Sequence, residues 1–144
     1  MHLSFALFAD AANLSQEGKL NVLGVFDALQ VGGFPAVHPR ATLVVRLKGG
    51  NDDVGAHALQ MQWVNPRGQE LWNSTGQIEI GTPPAGVTEM DLPLIAQLDL
   101  PLDGPGRYAM VLSVDGVQTA EVALHVRGAP QMPMVAGSQK GLVS

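Results

Sequence analysis

The sequence has no cysteine. Disulfides, thiolate metal centres and cysteine nucleophiles are therefore excluded, and nothing points to an oxidising compartment. Charge is also scarce: 15% of residues are Asp, Glu, Lys or Arg, against a usual ~25%. The balance is acidic, with 8 basic residues against 13 acidic ones and a net charge of −5. Nucleic-acid binders usually carry a basic patch, so no nucleic-acid partner is expected. No apolar run approaches the ~20 residues of a membrane span, so no membrane partner is expected either. Leu3 to Ala9 is apolar, and Ala9-Asp10-Ala11 superficially resembles a leader-cleavage site. No Lys or Arg precedes it, so it reads as a strand and the expected location is cytoplasmic. A surface so poor in charge fits two situations, burial in an oligomer or a large core rich in Ala and Val.

The length, 144 residues, is that of one domain. A chain of this size buries roughly 68–70% of its unfolded surface and needs no staple. The expected division is a sandwich domain over residues 1–127 and a Gly- and Pro-rich tail over residues 128–144.

The clearest local signal lies near the C-terminus. Arg107 to Val114 and Val117 to Val126 flank Asp115-Gly116, and such a pair suits a type I′ hairpin turn, which needs positive φ at both central positions. Tyr108, Met110, Leu112 and Val114 share one face of the first arm. Ala120, Val122, Leu124 and Val126 share one face of the second. Period 2 on both arms predicts antiparallel strands with one buried face.

Other segments follow the same alternation. Leu20 to Leu29 reads as one strand, apolar on both faces, and such a strand is either covered twice or exposed for a partner. Val31 to Arg40 reads as irregular because of its Gly and Pro residues. Thr42 to Lys48 and Ala56 to Val64 read as a hairpin, with Leu59, Met61 and Trp63 facing in. Asn65-Pro66-Arg67-Gly68 is a type I turn pattern. Glu70 to Asn73 and Gln77 to Ile80 read as two short strands. Met90 to Leu102 reads as the longest strand, at a sheet edge because Pro93 and Pro101 lie on its outward register. About eight short strands with turn signals between them predict an all-β, antiparallel, immunoglobulin-like β-sandwich. Tyr108 then fits the corner tyrosine that such domains carry at the entry to their penultimate strand.

Four stretches belong together: SFALFADAAN (Ser4 to Asn13), GKLNVLGVFDAL (Gly18 to Leu29), FPAVHP (Phe34 to Pro39) and GRYAMVLSVDG (Gly106 to Gly116). As a set, they resemble a family of small bacterial proteins known only by a domain-of-unknown-function label. The resemblance runs from about residue 3 to residue 127. It implies a β-sandwich, and it implies no activity, cofactor or site residue.

Catalytic patterns are weak. His2, His38, His57 and His125 lack the close ligand spacing of metal sites, so no metal or other cofactor is expected. Asn51-Asp52-Asp53 lacks the further oxygen ligands of a calcium loop. Glu89 and Asp91 read as a solvated strand face rather than an acid–base pair. No serine sits in a nucleophile elbow. The expectation is a non-enzymatic module for protein–protein binding or assembly, with self-association included. Its candidate contact residues are Phe34, Val37, Trp72, Met132, Met134 and Val135, apolar where a monomer would be polar. The alternative is a small-ligand or carbohydrate-binding sandwich using Trp72 and the Phe34 loop.

Overall fold

The computed structural model describes residues 1–130. Nine strands follow one another: β1 (His2–Leu14), β2 (Leu20–Phe26), β3 (Ala28–Val31), β4 (Ala36–Gly49), β5 (Gly55–Val64), β6 (Glu70–Ile80), β7 (Met90–Leu102), β8 (Gly106–Val114) and β9 (Val117–Gly128). They form a four-stranded sheet of order β2-β1-β4-β7 and a five-stranded sheet of order β3-β9-β8-β5-β6.

The alternation seen in the sequence decides what lies between the sheets. Phe8, Leu43, Val45 and Leu47 come from the first sheet, and Trp63, Tyr108, Met110, Leu112 and Leu124 from the second. All are buried in one cluster. The Trp63 ring on β5 stacks on Tyr108 with centroids 5.3 Å apart, and Phe8 meets it edge-on at 6.0 Å. The Trp63 Nε1–H donates to the Pro101 carbonyl at 2.9 Å, tying the two sheets together. Tyr108 is the expected corner: its hydroxyl accepts the Asp103 and Gly104 amides at 2.8 and 3.0 Å. A Trp buried between the sheets and a corner tyrosine at the start of the penultimate strand are immunoglobulin-like features. The Asp115-Gly116 turn has φ of 51° and 80°, as its residues require.

Several expectations are corrected. Thr42–Lys48 and Ala56–Val64 do not pair, because β4 and β5 lie in different sheets. Their apolar faces oppose each other across the core, which the Gly49–Asp53 connection crosses. Glu70 to Ile80 is one strand, with Ser74, Thr75 and Gly76 pairing to Met61, Gln60 and Leu59. Leu20 to Leu29 is two strands: the chain leaves the first sheet at Asp27, and β3 pairs with β9 in parallel. The sandwich is therefore not wholly antiparallel. Val31 to Arg40 is partly regular, since Ala36–His38 pair with Leu100–Leu102. Pro39 and Arg40 form a bulge, which accommodates a residue without an N–H. Arg40 has a φ of 52° there, and its amide donates to Asp99 Oδ1 at 2.9 Å. β4, not β7, is the longest strand, at 14 residues against 13.

Candidate functional site

Four strands bound the two sheets, and three have features that discourage pairing with another chain. β7 carries Pro93 and Pro101, β3 has only 4 residues, and β6 carries Glu70 and Glu79. β2, LNVLGVF, has neither a proline nor a charge. Edge strands without such devices are templates for association. On β2, Leu23 and Val25 are 73% and 61% exposed. Among the described residues no strand pairs with the free side of β2, so the doubly apolar stretch seen in the sequence is an open edge rather than a covered strand.

The hairpin carrying this edge is bent. β1 pairs with β4 only from His2 to Ala9, whereas its pairing with β2 continues to Leu14. At the point of divergence Gly24 has a φ of 71°, and a Cβ there would collide with the Asp10 carboxylate. Thr42 Oγ1 donates to the Asp10 carbonyl at 3.3 Å. Beyond this corner, Leu20 and Val22 join Phe5, Arg46, Asp91 and Pro93 in lining one cleft of about 510 Å³. Phe5, Arg46 and Pro93 pair in register across the outward face of the four-stranded sheet. The hairpin tip therefore leans over that face, and outward-register Ala9 and Val44 are 0% exposed.

A second groove, about 490 Å³, runs between the sheets where Ala6–Phe8 and Val25–Asp27 approach Glu121–Ala123 and His125. β3 covers the side of β9 from His125 to Gly128, and among the described residues no strand pairs with the preceding residues of that side.

Two polar clusters fix the ends of the sandwich. Asp103 Oδ2 accepts from Asn65 Nδ2 at 2.8 Å and from Arg67 at 2.7 Å. Its carboxyl lies below the usual value, chiefly through the Asn65 amide. At the other end, His57 Nδ1 lies 2.6 Å from Asp115 Oδ2 and Nε2 lies 2.6 Å from the Asp53 carbonyl. The Asp115 carboxylate, then the Asp53 carbonyl, push the His57 pKa up. Sequence spacing alone does not reveal this cluster, because Asp115 reaches His57 across the β5–β8 pairing. Among the described residues, no group of three or more His, Asp or Glu is placed to hold a metal. Among them too, no helix is long and apolar enough to cross a membrane.

Of the sequence-chosen contact residues, the three that the structure describes, Phe34, Val37 and Trp72, do not form one surface. Val37 is 59% exposed on β4. Phe34 is half-buried against the core and close to Gly128. Trp72 lies opposite Trp63 and is also half-buried. Its Nε1 is buried without a hydrogen-bond partner among the described residues. Phe34 follows β3 and Trp72 is on β6, at opposite edges of one sheet. The ligand site expected from Trp72 and the Phe34 loop is therefore not assembled. Met132, Met134 and Val135 lie outside the described residues. Leu23 and Val25 belong to the doubly apolar stretch Leu20 to Leu29, whose sequence did not say which of its residues would be exposed.

A family of unknown function (DUF6941) matches residues 4–127. No curated protein matches the chain.

Proposed function

The chain belongs to that family of unknown function, and we propose that it is a non-enzymatic module for protein–protein contact and self-assembly in a bacterial cytoplasm. The observation that carries this reading is the open edge of β2, with Leu23 and Val25 exposed beside it. An uncharged strand without proline offers its backbone donors and acceptors to another strand. The best-matched partner is a second copy: antiparallel pairing of β2 with β2 is self-complementary, as a two-fold interface must be. Such pairing would join two four-stranded sheets and cover the Leu23 and Val25 side chains. The scarcity of charge, 15% of residues, fits a surface partly hidden in this way.

The test is solution mass by light scattering over a concentration series, for the full chain and for Val25→Lys. Val25 lies outside the core, so the variant folds normally. Covering the exposed 61% of Val25 is worth about 1 kcal/mol. A two-fold interface counts the change twice. The loss is about 2 kcal/mol, or roughly thirtyfold in Kd. The expected result is a concentration-dependent oligomer for the full chain and a monomer for Val25→Lys. A full chain that stays monomeric throughout would overturn self-assembly. An oligomer that survives Val25→Lys but is lost when the chain ends at Pro130 would move the contact to the segment holding Met132, Met134 and Val135.

A further inference from the structure

We propose that the cleft beneath the β1–β2 hairpin tip is a binding site for a small organic carboxylate with an apolar body, its carboxylate held by Arg46. The cleft measures about 510 Å³, within the ~300–1,000 Å³ of small-molecule sites. It is built rather than incidental: the Gly24 corner bends the hairpin so that Leu20 and Val22 face Phe5 and Pro93. These four side chains supply apolar walls on both sides.

The polar groups select the charge of the ligand. Among the described residues, Arg46 donates one side-chain hydrogen bond, from an Nη to Asp91 Oδ2. A guanidinium has five N–H donors, so most of the fork is unspent. Asp91 in turn takes Lys48 Nζ on its other oxygen at 3.2 Å. Arg46 and Lys19 balance Asp91 and Glu17 within the lining, and Lys48, which meets Asp91 from outside it, leaves a single positive charge beside this wall. Arg46, and then Lys48, hold the Asp91 carboxyl below its usual value, so that charge persists around neutral pH. At the mouth, Lys19 and Glu17 pair at 3.9 Å and cancel. The local surplus contrasts with the chain's net −5.

A cationic ligand would find Asp91 already satisfied twice. A dianionic phosphate would bring two charges to a wall with a surplus of one. A carboxylate matches both the charge and the planar guanidinium, which binds it through two parallel hydrogen bonds. The apolar walls then receive its hydrocarbon or aromatic body. This site is independent of the β2 edge: it uses the underside of the hairpin, and its occupancy does not require self-association.

The experiment titrates the isotope-labelled full chain with sodium benzoate, read by amide chemical shifts. Benzamide and benzylamine serve as neutral and cationic analogues of similar shape. The expected result is saturable shifts centred on Phe5, Leu20, Val22 and Arg46, with a Kd of about 1–10 mM for so small a probe. Benzamide and benzylamine bind at least tenfold more weakly. Arg46→Gln removes the preference for benzoate, whereas Arg46→Lys, which keeps charge without the fork, retains part of it. Both substitutions are outside the core, and a thermal melt of each verifies folding. Equal shifts from the three probes, shifts centred elsewhere, or no saturation by benzoate would overturn the proposal.

Discussion

Tyr108→Phe isolates one hydroxyl, because the ring remains. The aromatic face still stacks on Trp63, with centroids 5.3 Å apart, so core packing is retained. What is lost is the centre of the β7–β8 corner. That hydroxyl accepts the Asp103 and Gly104 amides at 2.8 and 3.0 Å. Its own hydrogen has the Gly104 carbonyl at 2.6 Å and Asp103 Oδ1 at 2.9 Å within reach. Each hydrogen bond is worth about 0.5–1.5 kcal/mol net, and a buried donor left unpaired costs about 1–3 kcal/mol. Tyr108 is 0% exposed, but Asp103 lies at the surface, so water takes over part of the loss. The expected destabilisation is about 2 kcal/mol, above the ~1 kcal/mol of a single bond. In urea the midpoint falls while the slope m is unchanged, since the same surface is exposed on unfolding. In a thermal melt, a chain of this size loses roughly 6–10 °C. A loss under about 0.5 kcal/mol would mean that water replaces the hydroxyl fully and that the corner does not depend on it.

Three further outcomes follow from other parts of the molecule. His57 has a folded pKa above its unfolded value, through Asp115 first and then the Asp53 carbonyl. The stability it contributes is fully present below about pH 6.5 and is lost as pH rises through the folded pKa. The difference in Tm between the wild type and His57→Gln should therefore shrink across that window, and a constant difference would refute the charged clamp. Gly24→Ala forces a side chain onto a φ of 71° and into Asp10. It should cost about 1–3 kcal/mol and speed hydrogen exchange across Ala11–Val25; unchanged exchange there would refute the corner. Asp103 has a lowered folded pKa, chiefly through Asn65. Its contribution is present above the unfolded value and lost as pH falls through the folded one, so the Tm deficit of Asp103→Asn should shrink in acid, and a deficit that stays constant would argue against it.

The proposed contact surface was only partly legible. The stretch LNVLGVFDAL reads as apolar on both sides, but sequence does not say whether a strand is covered twice or left open. That depends on which strand becomes its neighbour. Trp72 and Phe34 looked like surface aromatics because neither fits an alternating apolar face. In the fold both lean on the core, at opposite edges of one sheet. The His57 cluster was invisible because one partner is the Asp53 backbone carbonyl and the other, Asp115, is 58 residues away.

The sequence by itself determined the local facts: strand after strand with a period of 2, the Asp115-Gly116 turn, Pro93 and Pro101 at an edge, Trp63 inside, and Tyr108 at its corner. These follow from what each residue's backbone and side chain tolerate, whatever lies beside it. Only the tertiary structure decided who pairs with whom. Alternation marks the face a strand buries, not its neighbour, because backbone hydrogen bonds are the same for every sequence. Hence β4 and β5 face each other across the core instead of forming a hairpin, and β3 joins the opposite sheet from β2. The bend at Gly24 is likewise tertiary. A glycine in a strand permits a positive φ, but the Asp10 side chain and the anchoring of Thr42 turn that permission into a hairpin folded over a cleft.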